Sequence, residues 1–340
     1  MPGLDIRRVT KDFTAHKAVD DVSIGVQPGE LLVLLGPSGC GKSTLLRMLA
    51  GLEMPTSGTI HVGPHDVTRL EPRQRNVAMV FQTYALYPHL TVYENIAFPL
   101  RSRGGIAAGE IDRRVHWAAG LVGIEALLAR RPRQMSGGER QRTALARAMV
   151  REPDVFLLDE PLSNLDAKLR NSAREEIREF QRRVGVTTVY VTHDQVEAMG
   201  LGDRIAVMAA GKLRQLGTPK QIYGHPADIF VATFIGSPPM NLLHQSDGTV
   251  LGVRPEELLD ANVSPPGSNG LSLDLRVRRI EFLGGEWLLH GVLEGQASTD
   301  HITVRSSVQA PPTVQEGEVW QVGAPQHALR RFTVEGNAAL

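Results

Sequence analysis

The apolar run Leu31–Leu35 leads directly into Gly36-Pro37-Ser38-Gly39-Cys40-Gly41-Lys42-Ser43-Thr44, and Leu45, Leu46 and Leu49 follow at helical spacing. The pattern G-x-x-x-x-G-K-S thus lies between a predicted buried strand and a predicted helix that stops at Gly51. That is the setting in which the pattern carries a mechanism. Glycines let the backbone wrap closely around phosphates with its N–H groups turned inward. The helix N-terminus adds unpaired donors and a partial positive charge. Lys42 would place its ammonium on the β- and γ-phosphates of a nucleotide, and Ser43 would offer its hydroxyl to Mg²⁺. A plain glycine-rich turn does not account for the Lys-Ser pair after Gly41.

Length and composition narrow the setting. The chain has 340 residues, 42% hydrophobic and 22% charged, as in an ordinary soluble globular protein. Lys+Arg and Asp+Glu are both 37, so the balance gives no support to broad electrostatic binding of nucleic acid or anionic lipid. No apolar run approaches the length needed to span a bilayer, and Met1–Arg8 lacks the apolar core of a signal peptide. Cys40 is the single cysteine, which excludes an intrachain disulfide and the zinc-site spacings. Inside the phosphate loop it is either a small side chain that fits the turn or a thiol activated by the helix N-terminus.

Residues 4–9 and 22–26 read as strands, the second with Val22, Ile24 and Val26 on one face. Phe13 lies between them and is either core or a platform for an adenine ring. Thr59–Val62 is a further short strand. Val77–Phe81 is a buried strand that ends at Gln82, and a polar residue at a strand's carboxyl end is well placed for a ligand in an α/β sheet. Tyr84, Tyr87 and Tyr93, beside Pro88 and His89, could cover a partner or pack locally; the residues alone leave both open. Residues 91–130 are expected to be mainly helical with a break at Arg103-Gly104-Gly105. Arg130-Arg131-Pro132-Arg133 reads as a solvated loop.

Ser136-Gly137-Gly138-Glu139 opens an alanine- and arginine-rich helix. Ser136 with Glu139 three residues on is a capping box, a complete structural explanation. The same serine and glycines at a helix N-terminus also make a weak anion site, and chemistry alone does not choose between the two. Val155–Leu158 is a buried strand with Asp159 and Glu160 at its end. Two adjacent carboxylates are costly to bring together without a cation. Asp159 has the position of the acidic residue that holds Mg²⁺, and Glu160 could deprotonate an attacking water. After a polar turn through Asp166 and a charged helix over about 167–183, the strand Thr187–Thr192 ends at His193. Arg204–Met208 is another strand, and Gly211 makes a tight turn. Strand ends near 35, 82, 159 and 193 therefore deliver polar groups to one edge of an α/β sheet.

Taken together, the phosphate loop, Gln82, Ser136-Gly-Gly-Glu139, Asp159-Glu160-Pro161, Ser163-Asn164-Leu165-Asp166 and His193 stand in the order of an ABC-type ATPase, a resemblance that covers residues 4–240. Met79–His89, Leu162–Arg170 and Tyr190–Met199 resemble the ATP subunits of carbohydrate importers, the group that includes maltose and sn-glycerol-3-phosphate importers. The resemblance implies a P-loop NTPase cassette over 1–235. That cassette has a RecA-like core, an antiparallel β subdomain and a helical subdomain over about 83–150. It also implies roles. Phe13 stacks on adenine, and Gly36 to Thr44 bind the phosphates of ATP with Mg²⁺. Gln82 senses the γ-phosphate and joins Ser43 and Asp159 around the metal. Glu160 activates water with Lys42, Gln82 and His193 at the γ-phosphate. Ser136, Gly137, Gly138 and Glu139 cap ATP held by a second copy of the chain or a close homologue, and Asp166 crosses the dimer interface. Two transmembrane permease subunits and, indirectly, an extracytoplasmic solute-binding protein are the implied partners. The implied location is peripheral, on the cytoplasmic face of the inner membrane. The signature departs from the usual Leu-Ser-Gly-Gly-Gln at Met135 and Glu139.

Composition shifts in 236–340. Turn clusters separate alternating runs at Leu271–Val277, Ile302–Val304 and Val319–Val322, which predict a small all-β barrel. Gly252–Glu257 resembles the Arg-Pro-Glu element of the importers' regulatory domain, and that resemblance implies an OB/TOBE-like barrel. The tail has no basic–aromatic stripe for nucleic acid. A soluble ABC ATPase acting on nucleic acid or ribosomes is the alternative, and it usually carries a coiled-coil insertion or tandem cassettes that are not here. An exporter ATPase is a further alternative, opposed by the barrel tail.

Overall fold

The computed structural model describes residues 3–163, 167–262, 265–267, 269–294, 301–309 and 311–333. The chain divides into two units, one reaching Pro219 and one starting at Lys220.

The first unit begins with the hairpin β1 (Leu4–Phe13) and β2 (His16–Val26), longer than the predicted strands because pairing continues to Phe13↔His16. Then come β3 (Leu31–Leu35), α1 (Lys42–Ala50), β4 (Ser57–Val62), β5 (His65–Asp66) and β6 (Val77–Val80). A helical segment follows, with α2 (Val92–Arg103), α3 (Ala108–Leu121) and α4 (Gly137–Met149). The unit ends with β7 (Val155–Asp159), α5 (Ala167–Val184), β8 (Thr187–Thr192), α6 (Gln195–Leu201), β9 (Arg204–Ala209) and β10 (Lys212–Gly217).

Two sheets result. One is six-stranded, in the order β10-β9-β3-β8-β7-β6; β9, β3, β8, β7 and β6 run parallel, and β10 joins β9 antiparallel. All residues of β3 and β8 are buried, which explains why they read as continuous apolar or threonine-flanked runs rather than alternating ones. The other sheet is antiparallel, in the order β2-β1-β4-β5. Leu4, Ile6 and Ile24 from it meet Leu32, Leu34 and the α1 residues Leu45, Leu46 and Leu49 in one core. The helical segment has its own core, in which Val92, Ile96, Val115 and Ala118 pack with Met135. Arg130, Arg131 and Arg133 are exposed, as a solvated loop requires, while Pro132 between them is buried.

One buried charge supports the helix after the phosphate loop. Arg75 is 1% exposed, and its guanidinium donates to Met48 O (2.7 Å), Leu70 O (2.8 Å), Thr68 O (2.9 Å) and Leu49 O (3.2 Å). It thereby adds a donor to Met48 O, which Gly51 N also serves, and takes up Leu49 O at the C-terminus of α1. Burial lowers its pKa from the ordinary arginine value.

The second unit opens with short helices, α7 (Pro219–Gly224) and α8 (Ile229–Phe234). Its strands are β11 (Asn241–His244), β12 (Val250–Val253), β13 (Leu259–Asp260), β14 (Leu271–Phe282), β15 (Glu286–Leu293), β16 (His301–Ser307), β17 (Val319–Ala324) and β18 (Arg330–Phe332). They form two antiparallel sheets, β11-β12-β18 and β13-β17-β14-β15-β16, around a core that includes Leu275, Val277, Leu289, Ile302, Val304 and Val322. The sequence places the junction at 235/236, whereas the division falls at 219/220. Ala232 of α8 packs with Met240, Val250 and Phe332, so the helix before 235 shares a core with the strands.

Candidate active site

The phosphate loop runs from the end of β3 to the start of α1. Its conformation needs glycine at two positions. A Cβ on Gly36 would stand 2.2 Å from Met208 O of β9, and one on Gly41 would stand 2.2 Å from Ala18 O of β2, where φ is +104°. Gly41 is the N-cap of α1 with no side chain bonded to the cap, and the first turn holds no acidic residue. The N-terminal donors of α1 therefore face an opening suited to an anion. Pro37, Ser38 and Gly39 are exposed. Lys42 is buried, its Nζ donating to Gly36 O (2.7 Å) and Pro37 O (2.9 Å). Cys40 is buried with its Sγ 3.7 Å from that nitrogen, so it fills the loop from beneath.

Two anchors of the loop lie beyond what motif reading reaches. Gly211 N donates to Cys40 O (3.1 Å), and Asp20 N donates to Gly211 O (2.9 Å). The turn after β9 thus holds the loop at Cys40 O and is itself held by β2 at Asp20 N. Sequence reading found only a tight turn at Gly211, because a main-chain partner at Cys40, far away in the chain, leaves no local signal.

The carboxylates stand at the end of β7. Ser43 Oγ donates to Asp159 Oδ1 at 3.2 Å, which ties α1 to β7. Burial raises the Asp159 pKa above its ordinary value and the Glu160 charge adds to this, while the Ser43 hydrogen bond opposes it. A cation there would relieve the cost. One hydroxyl and one carboxylate suit Mg²⁺, which keeps waters and phosphate oxygens as its other ligands. Glu160 adopts φ 44°, an uncommon conformation for a non-glycine residue, and its N–H donates to Val191 O of β8 at 3.0 Å. That turn brings Glu160 Oε1 to 3.1 Å from His193 Nδ1. The imidazole is half exposed and the carboxylate partly buried.

Gln82 is exposed two residues beyond β6, which pairs with β7 at Val80↔Leu158, so it stands at the same sheet edge. The loop after it is held by packing. Tyr84 (φ 60°) and Ala85 (φ 47°) offer their carbonyls to Arg147 of α4 at 2.8 and 2.7 Å. Buried Asn95 binds Tyr87 through both its main-chain N–H and C=O, and the Tyr87 ring lies 4.5 Å from Phe98. Phe98 itself remains exposed.

Ser136 and Glu139 form the capping box. Ser136 N donates to Glu139 Oε2 (2.6 Å), and Glu139 N donates to Ser136 Oγ (3.3 Å). The Ser136 main-chain N–H holds the Glu139 carboxyl below its ordinary pKa. Both departures from the usual signature find a physical place here. Met135 is a volume-conserving substitute for leucine in the helical core, and glutamate accepts at N3 as glutamine does. Ser136 is exposed and Gly137 and Gly138 are half-buried. Phe13, at the β1–β2 turn, is exposed beside His16 (5.9 Å between ring centroids) with Lys11 Nζ 4.8 Å from its ring. Asp166 lies outside the described residues.

Among the described residues no helix is long and apolar enough to cross a membrane. Residues 19–163 match the family model described as ABC transporter. The chain is 47% identical to an sn-glycerol-3-phosphate import ATP-binding protein of Rhodopseudomonas palustris, over 99% of this chain and 98% of that one. It is 46% identical to a trehalose/maltose import ATP-binding protein of Thermococcus litoralis, over 93% and 94%. Among solved structures it resembles a dimeric ATP-binding cassette in a post-hydrolysis state bound to ADP and Pi, with a TM-score of 0.57 and 30% identity over 64% of this chain and 98% of that one. Similarity at that level over nearly the whole length, together with a phosphate loop, paired carboxylates and a signature helix in one α/β cassette, places the chain in the ABC transporter family as the ATP-binding, ATP-hydrolysing subunit of an importer.

Proposed function

We propose that the chain drives uptake of a sugar or a glycerol-phosphate-like solute by hydrolysing ATP between two copies of its ABC cassette, 1–235, while 236–340 serves regulation. The observation that carries the reading is the joint geometry at the ends of β7 and β8. Asp159 is bonded to Ser43 of the phosphate loop, and the adjacent Glu160 is 3.1 Å from His193. Metal, phosphate and attacking water are thereby assigned to neighbouring groups. The names of the relatives support the solute class.

In this reading Phe13 stacks on the adenine, and the N–H groups from Gly36 to Thr44 receive the phosphates. Lys42 exchanges the Gly36 and Pro37 carbonyls for β- and γ-phosphate oxygens. Ser43, Asp159 and Gln82 would hold Mg²⁺, which when bound would neutralise charge on the phosphates. Glu160 takes the proton from the attacking water as its oxygen bonds to the γ-phosphorus and the bond to ADP breaks. His193 contacts the γ-phosphate and holds Glu160 in place. Ser136, Gly137, Gly138 and Glu139 of a second copy or close homologue close over the same ATP, and Asp166 crosses that interface. The cycle is a two-state switch biased by the γ-phosphate. Two permease subunits in the inner membrane receive the motion on the cytoplasmic face, and an extracytoplasmic binding protein delivers the solute.

The test is Glu160→Gln. The expected result is ATP binding like the wild type, loss of turnover and a dimer trapped by ATP in size-exclusion chromatography. Hydrolysis at the wild-type rate would remove Glu160 from the mechanism.

A further inference from the structure

Glu197 takes no part in the chemistry above, yet it is a buried carboxyl close to it. It lies in α6, four residues after His193, and is 4% exposed. Its Oε2 accepts two hydroxyl hydrogen bonds, from Tyr190 Oη at 2.9 Å and from Thr192 Oγ1 at 2.8 Å. Tyr190 is fully buried. Burial raises its pKa well above 10.0, with the Glu197 charge adding to this, so it remains a phenol and a donor.

The direction of these bonds matters. Burial raises the Glu197 pKa, and the hydrogen bonds from Thr192 and Tyr190 oppose the rise; as a carboxylate it only accepts, which fixes both hydroxyls as donors. With its hydrogen committed to Glu197, Thr192 Oγ1 turns a lone pair outward and accepts from Asp194 N at 2.9 Å. On the far side, the Asp194 carboxylate accepts from Val196 N at 2.7 Å and Glu197 N at 3.1 Å. The main chain of residue 193 is thus pinned before and after, and the turn so formed delivers the imidazole to 3.1 Å from Glu160. A cavity of about 50 Å³ behind the pair is lined by Glu160, Thr192, His193 and Glu197, so these groups border one space. Burying a carboxyl costs free energy that an apolar side chain would not. A merely space-filling position at α6 gives no reason for glutamate.

We propose that Glu197 is a positioning residue for ATP hydrolysis: through the Thr192 hydroxyl it sets the turn that presents His193 to Glu160. This rests on the assignment of Glu160 and His193 given above.

The experiment measures kcat and KM for ATP on the full-length protein with Mg²⁺, for Thr192→Val, Glu197→Gln, Glu197→Ala, His193→Ala and the double variant Thr192→Val/His193→Ala, with thermal melts of each. Thr192→Val should lower kcat about ten- to a hundredfold, the scale of a small misplacement at a reacting centre, with KM within about twofold. Glu197→Gln keeps a carbonyl acceptor and should retain most of the rate; Glu197→Ala should not. On the His193→Ala background, Thr192→Val should cost less than about twofold more, because its effect acts through that side chain. Multiplying losses, or an unchanged kcat in folded Thr192→Val, would overturn the positioning role and leave the parent reading intact. If Glu197→Ala does not fold, the Thr192→Val cycle decides alone. A wild-type rate in His193→Ala would refute the parent reading, and this inference with it.

Discussion

Replacing Arg75 by methionine tests how much a buried charge without a carboxylate partner contributes to the cassette. The guanidinium donates to Met48 O, Leu49 O, Thr68 O and Leu70 O at 2.7–3.2 Å. Gly51 N also serves Met48 O, which leaves the carbonyls of Leu49, Thr68 and Leu70 to lose their donor. Each buried carbonyl left without one costs about 1–3 kcal/mol. Three such losses sum to roughly 3–9 kcal/mol, and removing the guanidinium relieves several kcal/mol of its own burial cost, so the net destabilisation is about 1–5 kcal/mol. For a unit of this size that lowers the melting temperature by roughly 2–20 °C. Urea unfolding followed by tryptophan fluorescence and circular dichroism measures it. Arg75→Lys should recover less than half of the loss, since one ammonium lacks the planar fork that spans four carbonyls. A loss below about 1 kcal/mol for Arg75→Met would refute the reasoning, because the burial cost would then cancel the hydrogen bonds.

Two further outcomes are expected. Ser136→Arg should abolish hydrolysis while the single subunit keeps its ATP affinity, measured by equilibrium dialysis below the dimerisation concentration; lost affinity would place Ser136 in the site of its own chain. Asp159→Asn should raise the melting temperature of the nucleotide-free protein at neutral pH while removing Mg²⁺-dependent stabilisation by ADP. The sign follows from a carboxyl whose folded pKa lies above its ordinary 3.8: the charged form is disfavoured in the fold, so stability is lost as pH rises past both values and the gain vanishes in acid. A melting temperature that falls at neutral pH would contradict this.

Much of the site was legible because its chemistry and its local pattern coincide. Glycine, lysine and serine in Gly36 to Ser43 serve the turn and, in the proposed reading, the phosphates. Asp159 and His193 follow apolar runs whose burial fixes where they emerge. The illegible parts depend on partners distant in the chain. Nothing around Gly211 announces its bond to Cys40 O, and nothing in Glu71-Pro-Arg-Gln-Arg75 marks Arg75 as the fully buried arginine. β15 escaped notice because His290 and Gly291 interrupt its alternation, although it pairs with both β14 and β16. For the tyrosine-rich loop, the structure shows local packing of Tyr84 and Tyr87 together with an exposed Phe98, so packing and a partner surface are compatible.

The grip of Arg147 on Tyr84 and Ala85 has a mechanical consequence. Arg147 lies in the last turn of α4, and Ser136 caps the first. A helix of this length is a strut about 20 Å long that stretches far less easily than it pivots. In the proposed reading one end carries the half-site offered to another subunit's ATP, while the other clasps the backbone just past Gln82. On that reading, travel of the Gln82 loop would be geared to the tilt of Ser136 through one linkage.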